Sequence, residues 1–347
     1  MNDYTVSEIK PSDKRGRLQM TELLINAGIE TDGNLDLSLG LFDEDYNLVA
    51  TGSCFKNTLR CMAVNPEHQG EGLLNRVVTE LISRQYERGN RDLFLYTKYD
   101  SAKMFADLGF YEIIRVDGKV VFMENRRGGF SSYLDELAKT RTAGNSAAIV
   151  MNANPFTKGH KYLVETAAAA CDTLHLFVVS EDSSLVPFDV RYRLVKEGTA
   201  DLGNVILHKT GSYIISNATF PSYFLKDSEL VIKSHARLDA EIFIKIARAL
   251  GVTRRFVGEE PFSKVTSLYN KVLKEILPAG GVDLTEIKRK TCEGEPISAS
   301  AVRKALQTGD KDILRKMLPD SSYAYFTSEE ARPVIEKIKA ASEVLHY

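Results

Sequence analysis

The feature that most restricts the fold is a pair of apolar runs, "AAIVM" at 147–151 and "TLHLFVVS" at 173–180, with a polar loop and a helix-like stretch between them. Short continuous apolar runs suit buried strands, and parallel strands need a crossover connection of about a dozen residues, usually a helix. "KYLVETAAAA" supplies that helix, so the segment reads as a βαβ unit. Open parallel sheets bind ligands beyond the carboxyl ends of their strands. The loop "NANPFTKGH", residues 152–160, stands at such an end.

A chain of 347 residues is long enough for two domains, each with an ordinary core. Its 45 basic and 47 acidic residues leave a net charge of −2, which gives no global field for nucleic acid or anionic lipid. The N-terminus "MNDYTVSEIKPSDKRGR" lacks the apolar core of a signal peptide, and no apolar run approaches the length of a membrane span. The expectation is a soluble, cytoplasmic protein with no nucleic-acid or membrane partner. Cys54, Cys61, Cys171 and Cys292 are too scattered for zinc pairs or a disulfide framework, so they read as small hydrophobes with reduced thiols, and no metal site is expected.

Strands and helices alternate over 1–125, and the irregular stretch "ENRRGGFSSYLDELAKTRTAGNSA" follows, with a short helix-like piece inside. The expected organisation is therefore a domain at 1–125, a linker at 126–145 and a second domain at 146–347. "LDLSLGLFDED", "YNLVATGSCF" and "NTLRCMAV" alternate as three strands of an antiparallel meander. In "VNPEHQGEGLLNRVVTELISRQYERG", Leu73, Leu74, Val77, Val78 and Leu81 fall on one helical face, and Gln69, Gly70 and Gly72 precede it. Glycines at a helix start let backbone N–H groups face an anion, and the helix dipole favours one there; a plain strand-to-helix turn explains the same residues.

"VNPEHQGEGLL" and "SAKMFADLGFYEI" resemble the acyl-CoA-binding loop and a later helix-turn-strand of the GCN5-related N-acetyltransferase (GNAT) fold. The resemblance implies an N-terminal α+β domain that takes an acyl or pantetheine group at Val64, Gln69, Gly70 and Gly72. Leu74 departs from the Gly or Ala usual in that loop, and no general base for an amine is evident.

In the second domain, "TKGH" resembles the [HT]-x-G-H signature of nucleotidyltransferases, and "ISASAVR" resembles their I-S-x-[ST]-x-x-R element. Thr157 offers a hydroxyl, Lys158 a cation and His160 an imidazole N–H, donors suited to charge building on phosphoryl groups. Ser298 suits a helix cap, while Ser300 and Arg303, three apart, can reach one phosphate. The resemblance implies a Rossmann-like parallel sheet binding ATP, with catalytic Thr157, His160 and Arg303. ATP contacts are implied at Asn154, Pro155, Phe156, Lys158, Gly159, Gly258, Ser298 and Ser300. Glu259 and Glu260, beyond Gly258, read equally well as further contacts or as solvated charges.

The domain order, with "NANPFTKGH", "VGEEPFSKVTSLYN" and "ISASAVR", resembles the citrate lyase ligase family over essentially the whole chain. That resemblance implies ATP-dependent acetylation, from acetate, of the thiol of the dephospho-CoA-derived group on the acyl-carrier subunit of citrate lyase. It implies an acetyl-adenylate intermediate, AMP and pyrophosphate as products, and Mg2+ on the phosphates. The alternatives are an adenylyltransferase acting on phosphopantetheine or nicotinamide mononucleotide, an independent amine acetyltransferase, and a non-catalytic nucleotide or CoA sensor.

Overall fold

The computed structural model describes residues 4–116, 120–181, 183–214, 220, 223, 228–260 and 263–341. The chain divides into two compact units, Met1–Ser132 with Pro221–Ser234, and Tyr133–Phe220 with His235–Tyr347.

The first unit is a seven-stranded sheet with helices. Its elements run β1 (Thr5–Glu8), α1 (Lys14–Asn26), β2 (Leu37–Phe42), β3 (Leu48–Phe55), β4 (Thr58–Val64), α2 (Leu73–Glu87), β5 (Phe94–Thr97), α3 (Ala102–Asp107), β6 (Tyr111–Val116) and β7 (Val120–Glu124). The strand order is β1-β2-β3-β4-β5-β7-β6. The expected meander is β2-β3-β4, paired antiparallel. β4 and β5 pair parallel through only Thr58↔Phe94 and Leu59↔Leu95, and the rest of β4 runs on to the glycine turn. Leu73, Val77, Val78 and Leu81 of α2 are buried with Leu39, Leu41 and Val49 of the sheet, as the one-sided pattern dictates.

Helix α4 (Gly129–Ala138) then leads to the second unit: β8 (Ser146–Met151), α5 (Lys158–Ala168), β9 (Thr173–Val178), α6 (Phe188–Gly198), β10 (Val205–Lys209), α7 (Ser228–Leu250), β11 (Val252–Gly258), α8 (Lys264–Ile276) and β12 (Asp283–Ile287). A two-stranded ribbon, β13 (Thr291–Cys292) with β14 (Glu295–Pro296), follows, and then α9 (Ala299–Thr308), α10 (Lys311–Met317), α11 (Asp320–Phe326) and α12 (Arg332–Ala340). Strands β8 to β12 form a five-stranded, wholly parallel sheet in the order β10-β9-β8-β11-β12. The fold class is thus the expected one, α+β followed by a Rossmann-like parallel sheet.

That order places β8 at the point where the winding reverses. Chain leaving β8 goes to β9 on one side, and the later strand β11 pairs on the other, so the loops after β8 and β11 diverge and leave a crevice at their carboxyl ends. Ala147, Ile149 and Met151 pack with Val164 of α5 and Val302 of α9 on one face of the sheet. All four cysteines are free, and burial pushes the Cys54 and Cys61 thiols up to about 11 and about 12. Among the described residues no helix is long and apolar enough to cross a membrane.

Candidate active site

A cleft of about 710 Å³ opens at the carboxyl ends of β8, β11 and β12, within the second unit. Three helices point their N-termini at it: α5 through Thr157 and Gly159, α8 through Ser263, and α9 through Ser298 and Ser300. Each first turn carries N–H groups without a helical partner and the positive end of a helix dipole, so the cleft favours anions.

Thr157 caps α5. Its hydroxyl accepts from the His160 backbone N–H at 3.3 Å, while the Thr157 backbone N–H donates to His160 Nδ1 at 3.1 Å, closing a capping box. Because Nδ1 accepts, the neutral ring carries its proton on Nε2. Burial, reinforced by the charges of Arg289 and Arg303, lowers the His160 pKa to about 4, so the ring is neutral at pH 7. A neutral Nε2–H donor is therefore built into the first turn of α5.

Gly159 explains how two helix starts can meet. A Cβ there would lie 3.1 Å from the Ile297 carbonyl oxygen, so a side chain would wedge α5 away from the segment entering α9. Across that contact, Ser298 accepts from Ala301 N–H at 3.1 Å as the cap of α9. Arg303 is buried, and its guanidinium spans the gap: Nη1 donates to the Asn154 carbonyl and Nη2 to Ser300 Oγ at 3.2 Å. Arg303 thereby ties the loop after β8 to the N-terminus of α9.

Eight of the expected nucleotide-site residues line the cleft: Asn154, Thr157, Gly159, His160, Gly258, Ser298, Ser300 and Arg303. Three stand elsewhere. Pro155 and Phe156 are buried, the latter in the core between sheet and helices, and Lys158 turns away to donate to the Arg315 carbonyl at 2.8 Å. These residues shape the loop and its packing; none lines the cleft.

Sequence reasoning missed two cations here. Arg289, just past β12, lines the cleft, pairs with the Glu260 carboxylate and donates from Nε to the Glu259 carbonyl at 2.9 Å, bridging the loops after β11 and β12. Its signal was the run "IKRK" at the end of a strand. Arg191 lies in the first turn of α6. It is fully buried and donates to the carbonyls of Asn152, Val179, Glu181 and Val186, which ties the start of the loop after β8 to the connection after β9.

In the first unit, Gly70 and Gly72 have φ of +87° and +74°, with nothing within 4 Å of a Cβ at either position. Gly72 is the N-cap of α2, with no side-chain cap on its first N–H groups. Gln69 and Val64 flank this turn. The Tyr4 hydroxyl donates to Glu71 and holds its carboxyl below the usual range.

The family model described as "Citrate lyase ligase C-terminal domain" matches residues 146–326. The [citrate [pro-3S]-lyase] ligase of Escherichia coli K12 is 38% identical over 326 residues, covering 92% of this chain and 92% of its own. That of Klebsiella pneumoniae is 37% identical over 319 residues, 90% of this chain and 93% of its own. Among solved structures, a putative acyl-CoA N-acyltransferase from Klebsiella pneumoniae covers 35% of this chain and 95% of its own, with 18% identity and a TM-score of 0.31. With two full-length relatives and the matched cleft-bearing segment in agreement, the chain belongs to the citrate lyase ligase family.

Proposed function

We propose that this ligase acetylates the thiol of the citrate lyase acyl carrier from acetate and ATP, through acetyl-adenylate. The observation that carries the reading is the convergence of three helix N-termini, a neutral His160 donor and the Arg303 and Arg289 cations on one cleft at the carboxyl ends of a parallel sheet. A triphosphate fits such a place. An acetate oxygen, already ionised at neutral pH, attacks the α-phosphorus. The bond to the bridging oxygen breaks, and pyrophosphate leaves with its electron pair. His160 Nε2–H, the Thr157 and Ser300 hydroxyls and the N–H groups of α9 meet the charge that builds on the phosphoryl oxygens. In the second step the carrier sulfur attacks the acetyl carbonyl carbon, the C–O bond to AMP breaks, AMP leaves with that electron pair, and the thiol proton passes to water.

Magnesium would enter on the phosphates and neutralise their charge; among the described residues no group of three His, Cys, Asp or Glu could hold it instead. The uncapped start of α2, with Gly70 and Gly72 open, suits the pyrophosphate of the carrier's dephospho-CoA-derived arm. The domain division at 126–145 and a cytoplasmic location belong to the same proposal.

The test is pyrophosphate release from ATP and magnesium, with and without acetate, and identification of the nucleotide product. Acetate-dependent release with AMP or acetyl-adenylate supports the reading. Release that ignores acetate and needs a phosphorylated acceptor, giving a dinucleotide, would replace it with adenylyl transfer onto phosphopantetheine or nicotinamide mononucleotide.

A further inference from the structure

The cleft has two limbs, because side chains alternate along a strand. On β8, Ile149 and Met151 belong to the core beneath α5 and α9, so Val150 lies on the opposite face. On β11, Phe256 belongs to that same core, so Arg255 and Val257 lie opposite it. Val150, Arg255 and Val257 nevertheless line the cleft, together with Tyr269 and Leu273 of α8. The cleft therefore runs over the edge of the sheet, from the helix N-termini on one face into a slot on the other.

The two limbs differ chemically. The first gathers the donors already described. The second has apolar walls in Val150, Val257 and Leu273 and one cation, Arg255, which is 4% exposed. Its Nη1 donates to Asp239 Oδ2 at 3.0 Å, and the guanidinium lies 4.4 Å over the Phe243 ring. Its Nε has no hydrogen-bond partner among the described residues. The phenol of Tyr269 hydrogen-bonds both members of this pair, and burial holds it well above its usual pKa, so it stays protonated. A buried guanidinium tied to Asp239 and Tyr269 but with its Nε still without a partner among the described residues, beside valine and leucine walls, is suited to a small planar anion.

We propose that Arg255, oriented by Asp239, receives the carboxylate of the acyl substrate in this slot, and that Val150 and Val257 limit the length of its acyl chain. This rests on the carboxylate-activating reading above. One carboxylate oxygen stays on the guanidinium; the other is left at the sheet edge, where Asn152 and Thr157 border the α-phosphoryl position. After adenylation the oxygen on Arg255 is the acyl carbonyl oxygen, which the guanidinium stabilises as it gains negative charge under attack by the thiol sulfur. The methyl group then lies against the Val150 and Val257 side chains.

The experiment measures pyrophosphate release against acetate, propionate and butyrate at saturating ATP, and ATP binding by calorimetry, for the wild type and for Val150→Ala, Val257→Ala, Tyr269→Phe and Arg255→Lys. Removing wall methyls should raise the propionate-to-acetate ratio of kcat/KM by about tenfold, the value of one methylene in a fitted pocket. Arg255→Lys should raise KM for acetate by about tenfold or more and leave the ATP Kd within about twofold, since a point charge replaces a fitted fork. Should Arg255→Lys fail to fold, the valine variants decide the question, since both side chains are only partly buried. Folded valine variants with an unchanged chain-length ratio overturn the proposal, as does an Arg255→Lys protein that loses ATP binding in step with acetate. A wild type indifferent to every carboxylate overturns the parent reading and this one with it, whereas an acetate-dependent wild type with unaltered variants overturns this one alone.

Discussion

Thr157 and His160 hold each other in a closed loop of two hydrogen bonds, the backbone N–H of each meeting the side chain of the other at 3.1 and 3.3 Å. The imidazole thus serves the helix start with one nitrogen and the cleft with the other. His160→Ala should lower acetate-dependent pyrophosphate release by roughly 10²–10³-fold, the effect of deleting one preorganised donor. His160→Gln, which can return an N–H near the Nε2 position, should recover part of that loss; equal activity of the two variants would remove the donor role.

Arg303→Lys keeps the charge but cannot span the Asn154 carbonyl and the Ser300 hydroxyl together. The buried acceptor left behind should cost about 1–3 kcal/mol of stability, read as a shifted urea midpoint. Weaker pyrophosphate release should accompany it. An unshifted midpoint with normal activity would show that the tie between the β8 loop and α9 is dispensable.

Gly159→Ala places a methyl 3.1 Å from the Ile297 carbonyl, tighter than ordinary contact. Overpacking of this kind costs about 1–3 kcal/mol, and the α5 and α9 starts must part to relieve it. The expected result is a raised KM for ATP with secondary structure intact by circular dichroism.

Stability should fall on the acid side of neutrality. His160, His175 and His208 each have a folded pKa lowered from 6.5 to about 4, chiefly by burial, and His175 Nδ1 lies 2.9 Å from His208 Nε2. A lowered histidine pKa means that the unfolded chain binds more protons between pH 6.5 and 4, so the stability these groups contribute is complete above 6.5 and drains away as pH falls through 4. Each unit of depression corresponds to about 1.4 kcal/mol. Urea midpoints measured from pH 7.5 to 4.5 should decline, and His175→Phe should flatten the decline; a level profile would contradict the burial of these rings.

Gly70→Ala with Gly72→Ala forces two side chains into the left-handed region and puts methyls over the start of α2. Transfer of the acetyl group to the carrier thiol should slow, whereas acetate-dependent pyrophosphate release without carrier should not change. Unaltered transfer would remove the glycine turn from the carrier's path.

The sequence was most informative where function is local. "NANPFTKGH" and "ISASAVR" could be placed at helix starts because a strand, a turn and a cap are written within about a dozen residues, and Thr157 and Ser298 do cap α5 and α9. The βαβ unit at the centre of the parallel sheet was legible for the same reason, since β8 and β9 are largely apolar runs, whereas β11 carries Thr253, Arg254 and Arg255 and β12 reads DLTEI. What could not be read were contacts between distant segments. Phe156 looks like loop chemistry but its ring fills the core, Lys158 looks like a phosphate cation and its ammonium donates to the Arg315 carbonyl, and Arg255 reads as an ordinary strand charge until Asp239 and the slot are in view. Arg289 is one base in a run of three, and only the folded loops select it from Lys288 and Lys290.

Arg191 has a consequence of another kind. Four of the acceptors that hold its guanidinium are main-chain carbonyls, at Asn152, Val179, Glu181 and Val186. Every amino acid brings that same oxygen, so the clamp registers where the backbone runs and is nearly blind to which side chains hang from it. Substitutions at Glu181 and Ser184 can thereby change the side chain without releasing the clamp, and Asn152 at the cleft keeps its place.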